Sequence, residues 1–89
     1  MPTLFLPLLE RIMAGEGPPE VPRRVVSRAR FFGHVIANAR SQSTIAALCG
    51  QLYVVEDGRF VLLVNRRWIV TFAWENGLGH AHALELEQV

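Results

Sequence analysis

Eighty-nine residues suffice for one small domain, close to the lower limit for a self-sufficient core, and leave no room for a second. A composition of 51% hydrophobic against 19% charged residues excludes an intrinsically disordered chain, and is rich enough in apolar side chains to imply an oligomer or an obligate partner. Net charge is only +1, but residues 1–50 hold six Arg against three Glu, whereas residues 51–89 hold three Arg against five acids.

All nine basic residues are Arg. That fits recognition of phosphate or carboxylate by planar guanidinium groups, and equally fits the codon bias of a GC-rich genome. Along the chain, the start is apolar but lacks a basic leader region and a cleavage site, and its run is too short to span a bilayer. Neither an export signal nor a membrane segment is expected. Over residues 3–14 the apolar positions Leu4, Leu8, Leu9, Ile12 and Met13 recur at helical spacing, and Gly15 to Pro19 ends the helix because Gly suits the left-handed residue after it and Pro cannot continue it. A second helix is predicted from Pro22, where a missing N–H costs nothing, to about Ala39. Its apolar stripe is Val25, Val26, Ala29, Phe32, Ile36 and Ala39. Arg23, Arg24, Arg28 and Arg30 lie mostly off that stripe as a basic patch, and Glu20 is placed to pair with Arg24 one turn on.

Ser41, Gln42 and Ser43 offer a cap, and residues 44–48 a single helical turn. Cys49 is alone, so no internal disulfide is possible and a reducing cytoplasm is the simplest location. Strands are predicted over residues 52–55, 59–64, 68–74 and 81–86, with connections short enough to make neighbours antiparallel. The fold class is therefore α+β: an N-terminal helical hairpin packed on one face of an antiparallel sheet of three to four strands, in one domain over residues 1–89.

The stretch 58–77, G-R-F-V-L-L-V-N-R-R-W-I-V-T-F-A-W-E-N-G, specifies its own register. Side chains alternate across a strand, so Phe60, Leu62 and Val64 share a face with Trp68, Val70, Phe72 and Trp74, which is the core face. The opposite face carries Val61, Leu63, Ile69, Thr71 and Ala73 with no charge between Arg59 and Glu75 outside the turn. A half-wet sheet ordinarily alternates apolar and polar residues, so a partner is expected over Val61, Leu63, Ile69 and Ala73, either another protein or a second copy of the chain. Full burial of Val61, Leu63 and Ile69 would contribute about 5–9 kcal/mol.

The order helix, helix, strands, together with Gly58, Phe60, Leu62, Val64, Asn65, Trp68, Val70, Phe72, Trp74 and Gly77, resembles the RelE/ParE superfamily of bacterial toxins, and within it the HigB-like branch of plasmid-maintenance killer proteins. A looser likeness over residues 21–45 extends the resemblance to about two-thirds of the chain. It implies a RelE/ParE-like fold and a cytoplasmic toxin of a type II toxin–antitoxin pair that inhibits translation by ribosome-associated cleavage of messenger RNA. It also implies a cognate antitoxin of helix-turn-helix type, with ribosome or messenger RNA as further partners. Departures from the pattern fall on the chemistry. Where the family commonly has His, Lys and Arg, this chain has Gly50, Tyr53 and Ile69. The outward Ser and Arg of the first strand become Val61 and Leu63, and the C-terminal Asp-Tyr-His has no counterpart in Glu87, Gln88 and Val89. The alternative expectation is a non-catalytic protein on the same scaffold, either a gyrase-type inhibitor or a degenerate interaction module.

As a nuclease the chain would draw on Arg59 and Arg67 to hold phosphate and stabilise developing charge, and on His82 to move the 2′-OH proton. Arg66, Tyr53, Arg23, Arg24 and Arg28 are candidates for holding RNA or a partner. Each has a plainer reading: turn and helix arginines as solubilisers, and a strand Tyr between apolar neighbours as packing. Trp68 and Trp74 could stack bases but alternate with Val70 and Phe72 on the core stripe. His80 and His82 have i,i+2 spacing without a third ligand, so no metal is expected. His34 reads as a surface residue. No motif calls for a cofactor.

Overall fold

In the computed structural model, residues 7–50, 52–56, 58–75 and 79–89 are described, with the side chains of Glu56 and Glu75 left aside. Three helices precede four strands: α1 (Leu8–Met13), α2 (Arg23–Asn38), α3 (Gln42–Cys49), β1 (Leu52–Glu56), β2 (Arg59–Leu63), β3 (Trp68–Glu75) and β4 (His80–Gln88). The strands form one antiparallel meander in the order β1-β2-β3-β4. A radius of gyration of 12.5 Å matches the value of about 12 Å for a compact chain of this length.

The expected α+β architecture is present. α2 starts after Pro22 and ends at Asn38 with Ala39 extended. The first helix is described only from Leu8, and the predicted portion over residues 3–6 lies outside the described residues. The third helix exceeds the single predicted turn: it runs eight residues because Ser41 Oγ accepts a hydrogen bond from the Thr44 N–H and satisfies a helix-start donor that is otherwise unpaired. β4 begins at His80 and runs to Gln88, longer than the predicted 81–86.

One sheet face makes the core. Phe60, Leu62, Val64, Trp68, Val70, Phe72, Trp74 and Leu86 are buried together with Leu9 and Ile12 of α1, Val25, Ala29, Phe32 and Ile36 of α2, and Ile45 and Cys49 of α3. Phe60 and Phe72 are direct cross-strand partners and stack at 5.5 Å between ring centroids. α1 can lie close on α2 because Gly33 has no side chain: a Cβ there would fall 2.7 Å from Met13 Sδ.

The placement of Arg30 and the pairing of Glu20 differ from expectation. Arg30 is half-buried and is not part of an exposed patch. Its Nε donates to the Ile12 carbonyl at 2.9 Å and its Nη2 to the Glu16 carbonyl at 3.0 Å, tying the α1 exit to α2. Glu20 does not bridge to Arg24. It lies 3.6 Å from Arg11, whose Nε is also 3.4 Å from Glu16, because the segment between the helices folds back over the end of α1.

Two bulges shape the sheet. Val54 pairs with Phe60 and Glu56 with Arg59, which leaves Val55 as an extra residue on β1. Thr71 pairs with Glu85 and Ala73 with His82, so Phe72 alone opposes Ala83 and Leu84. Ala83 carries the kink at φ 55°, and the extra residue puts both His82 and Glu85 on the face away from the helices.

Candidate functional site

Cross-strand register assigns the helix-free face residue by residue. One row runs Tyr53, Val61, Thr71, Glu85 across all four strands. A second runs Leu63, Ile69, Glu87, and a third brings Arg59, Ala73 and His82 into line. None of Val61, Leu63, Ile69 and Ala73 belongs to the core beneath the helices, so this face stands apart from the helical layer.

It is less uniformly apolar than the alternation implies. Leu63 is 52% exposed, Val55 61% and Tyr53 44%, while Val61, Ile69 and Ala73 are half-buried. The 5–9 kcal/mol expected from sequence presumed full exposure, so the gain left for a partner is smaller and concentrates at Leu63, Val55 and Tyr53. Tyr53 thus lies partly exposed on the edge strand β1, where none of the described helices covers this side of the sheet. A recess of about 280 Å³ lies among Val55, Arg59, Val61, Ile69, Thr71 and Glu87. Thr71 is 6% exposed, and its hydroxyl has no hydrogen-bond partner among the described residues. A buried hydroxyl without a partner costs free energy until something supplies one.

The three proposed catalytic side chains divide. Arg59 and His82 are both half-buried in one row, with their backbones two strand spacings apart, about 10 Å. Arg67 sits with Arg66 on the β2–β3 turn, six residues along β3 from the partner of Arg59, or about 20 Å away at strand rise. The structure therefore gathers Arg59, His82 and Tyr53 on one face and sets Arg66 and Arg67 at the far end of the hairpin. That turn is held by Asn65, whose Oδ1 accepts from the Arg67 N–H at 2.8 Å and the Trp68 N–H at 2.9 Å, a side-chain mimic of a backbone turn.

Arg23, Arg24 and Arg28 are exposed on α2. Arg24, Ser27, Arg28 and Phe31 form one wall of a groove of about 650 Å³ whose other wall is Val64 and Asn65. The arginines are legible in the sequence, but their apposition to the turn is not, since residues 24–31 and 64–65 meet only through the packing of α2 on the sheet. The spacing of Arg24, Arg28 and Phe31 at i, i+4 and i+7 was the one signal that they share a ridge. A second groove, of about 700 Å³, follows the segment between α1 and α2, but its inner arginine, Arg30, is committed to backbone carbonyls.

Trp68 and Trp74 are buried at 5% and 7% exposure, which leaves no face for a base. His34 is exposed on α2. Burial pushes the Cys49 thiol above its ordinary range and Arg28 only partly offsets this, so the buried sulfur is a packing atom. Among the described residues no three His, Cys, Asp or Glu side chains come together as a metal ion would require, and no helix is long and apolar enough to cross a membrane. Comparison of the chain with protein-family models, with curated proteins and with solved structures finds no match in any of the three.

Proposed function

We propose that this chain is the toxin component of a bacterial type II toxin–antitoxin pair on a RelE/ParE-like scaffold, acting by binding its target, and that a protein partner, the antitoxin in the inhibited state, covers the helix-free face of its sheet. The observation that carries the partner surface is the recess on that face: the Thr71 hydroxyl is buried there without a hydrogen-bond partner among the described residues, and Tyr53, Val55 and Leu63 are exposed around it. An apolar patch with a polar group awaiting a partner is the anatomy of a protein interface, with a desolvated centre and a polar rim. The toxin assignment itself rests on the resemblance of residues 58–77 and on the order of elements.

A second reading, cleavage of messenger RNA, is supported by the row that joins Arg59 to His82 beside the same recess. Arg59 would hold phosphate and His82 would move the 2′-OH proton. Glu85 and Glu87, exposed along β4, oppose an extended polyanion there, which favours binding over cutting.

Induced expression in a bacterial host with transcript profiling separates the readings. Growth arrest with intact transcripts, relieved by co-expression of the proposed antitoxin, is the expected result. Shortened transcripts that return to full length in Arg59→Ala and His82→Ala would establish the nuclease reading. Normal growth would overturn the toxin assignment.

A further inference from the structure

The groove between α2 and the β2–β3 turn is a second surface, at the arginine-bearing end of the hairpin and on the helix side of the sheet. We propose that it binds a short acidic peptide segment of a protein partner, with one apolar or aromatic residue of that segment seated against Phe31.

Placement comes first. Arg24, Arg28 and Phe31 recur at i, i+4 and i+7 along one ridge of α2, which spans about 10 Å at helical rise. Phe31 is 50% exposed. It stands on the rim, while Val25 and Val64 beneath it are buried at 1% and 8%. Ser27 and Asn65 add exposed polar groups to the two walls. Arg24 and Arg28 thus bring two guanidinium groups to a short groove, that of Arg28 lying 5.3 Å from the centroid of the Phe32 ring, and none of the described residues lining the groove is acidic. Arg66 and Arg67 follow Asn65 on the turn, exposed and outside the lining.

Guanidinium forks suit carboxylates and phosphates alike. The choice between them follows from extent and from whole-chain charge. A polynucleotide track needs a long basic stripe and ordinarily a strongly basic domain. This chain has a net charge of +1 and an isoelectric point near 8.0, and the groove holds one accessible ring for stacking. A ridge of about 10 Å fits a few residues of peptide, with carboxylates on the arginines and one side chain on Phe31, the pattern of a buried anchor within a charged rim. This surface is separate from the recess over Thr71 and stands whether or not the toxin assignment holds.

Fluorescence anisotropy with a labelled Asp/Glu peptide carrying one central Phe tests it, using the whole chain. The peptide should bind, with affinity falling as salt rises. The Arg24→Ala/Arg28→Ala double variant should lose about tenfold or more in affinity, and Phe31→Ala about fivefold, the latter only against the Phe-bearing peptide. Arg24→Lys/Arg28→Lys, which keeps charge but loses the fork, should fall between, and Arg40→Ala, an exposed arginine outside the groove, should not change binding. All these positions are exposed, and an unfolding midpoint equal to wild type confirms that each variant is folded. Absence of binding, binding indifferent to these substitutions, or tighter binding of a single-stranded RNA of equal charge through the same arginines would overturn the proposal. These readouts involve no growth assay, so their failure is distinct from failure of the toxin assignment.

Discussion

Ala83 occupies backbone space that an L-residue other than glycine rarely visits. Its φ of 55° forces Cβ toward the following carbonyl, a cost of about 1–2 kcal/mol. The strand tolerates this because the extra residue of the bulge restores the alternation beyond it: Leu84 and Leu86 face the helical layer, while His82 and Glu85 turn to the other side. Ala83→Gly should therefore raise stability by about 1 kcal/mol, less any entropy that glycine adds to the unfolded chain, read as a higher midpoint in thermal or urea unfolding. A lower midpoint would show that the Ala83 methyl group contributes more in packing than its backbone geometry costs.

At the scale of elements, the hairpin β2–β3 was the most legible part of the sequence, because its two faces differ in composition and its turn contains Asn65. The register Phe60 to Phe72 and Leu62 to Val70 follows the alternation without adjustment. The extent of α3 was less legible, since its start depends on a single serine cap within a run of Ser, Gln and Ser. Burial on the open face was not legible at all. Alternation places Thr71 outward, and only the assembled sheet, with Arg59 and Glu87 bordering the same recess, shows a threonine enclosed there. That position gives β3 a measurable signature. Replacing Thr71 by Val removes a buried hydroxyl that lacks a partner among the described residues and keeps a β-branched side chain, so the isolated chain should gain about 1 kcal/mol. In complex with a partner that bonds this hydroxyl, the same substitution should weaken binding by a similar amount. Destabilisation of the isolated chain would mean that the hydroxyl is already satisfied.

At the scale of the whole molecule, the arrangement separates two chemistries. The helical layer closes one side of the sheet and carries exposed Arg23, Arg24 and Arg28, while β4 presents Glu85 and Glu87 at the opposite edge from β1, where Tyr53 and Val55 are exposed. The family expected from residues 58–77 places its chemistry on the sheet, but here the candidate groups on that face reduce to Arg59, His82 and Tyr53, with Arg66 and Arg67 removed to the turn. The candidate site was legible as residue types and not as an assembly, because arginines distant along a hairpin read in sequence as one cluster.

The helix-free face as partner surface is most directly tested by methyl NMR of the chain labelled at Ile, Leu and Val, alone and with the helix-turn-helix antitoxin that the toxin proposal calls for. The account predicts a complex in which the methyl signals of Val55, Val61, Leu63 and Ile69 move most, while those of Leu9, Ile12 and Ile36 in the core hold still. A complex that leaves the first set unmoved, or no complex at all, would contradict it.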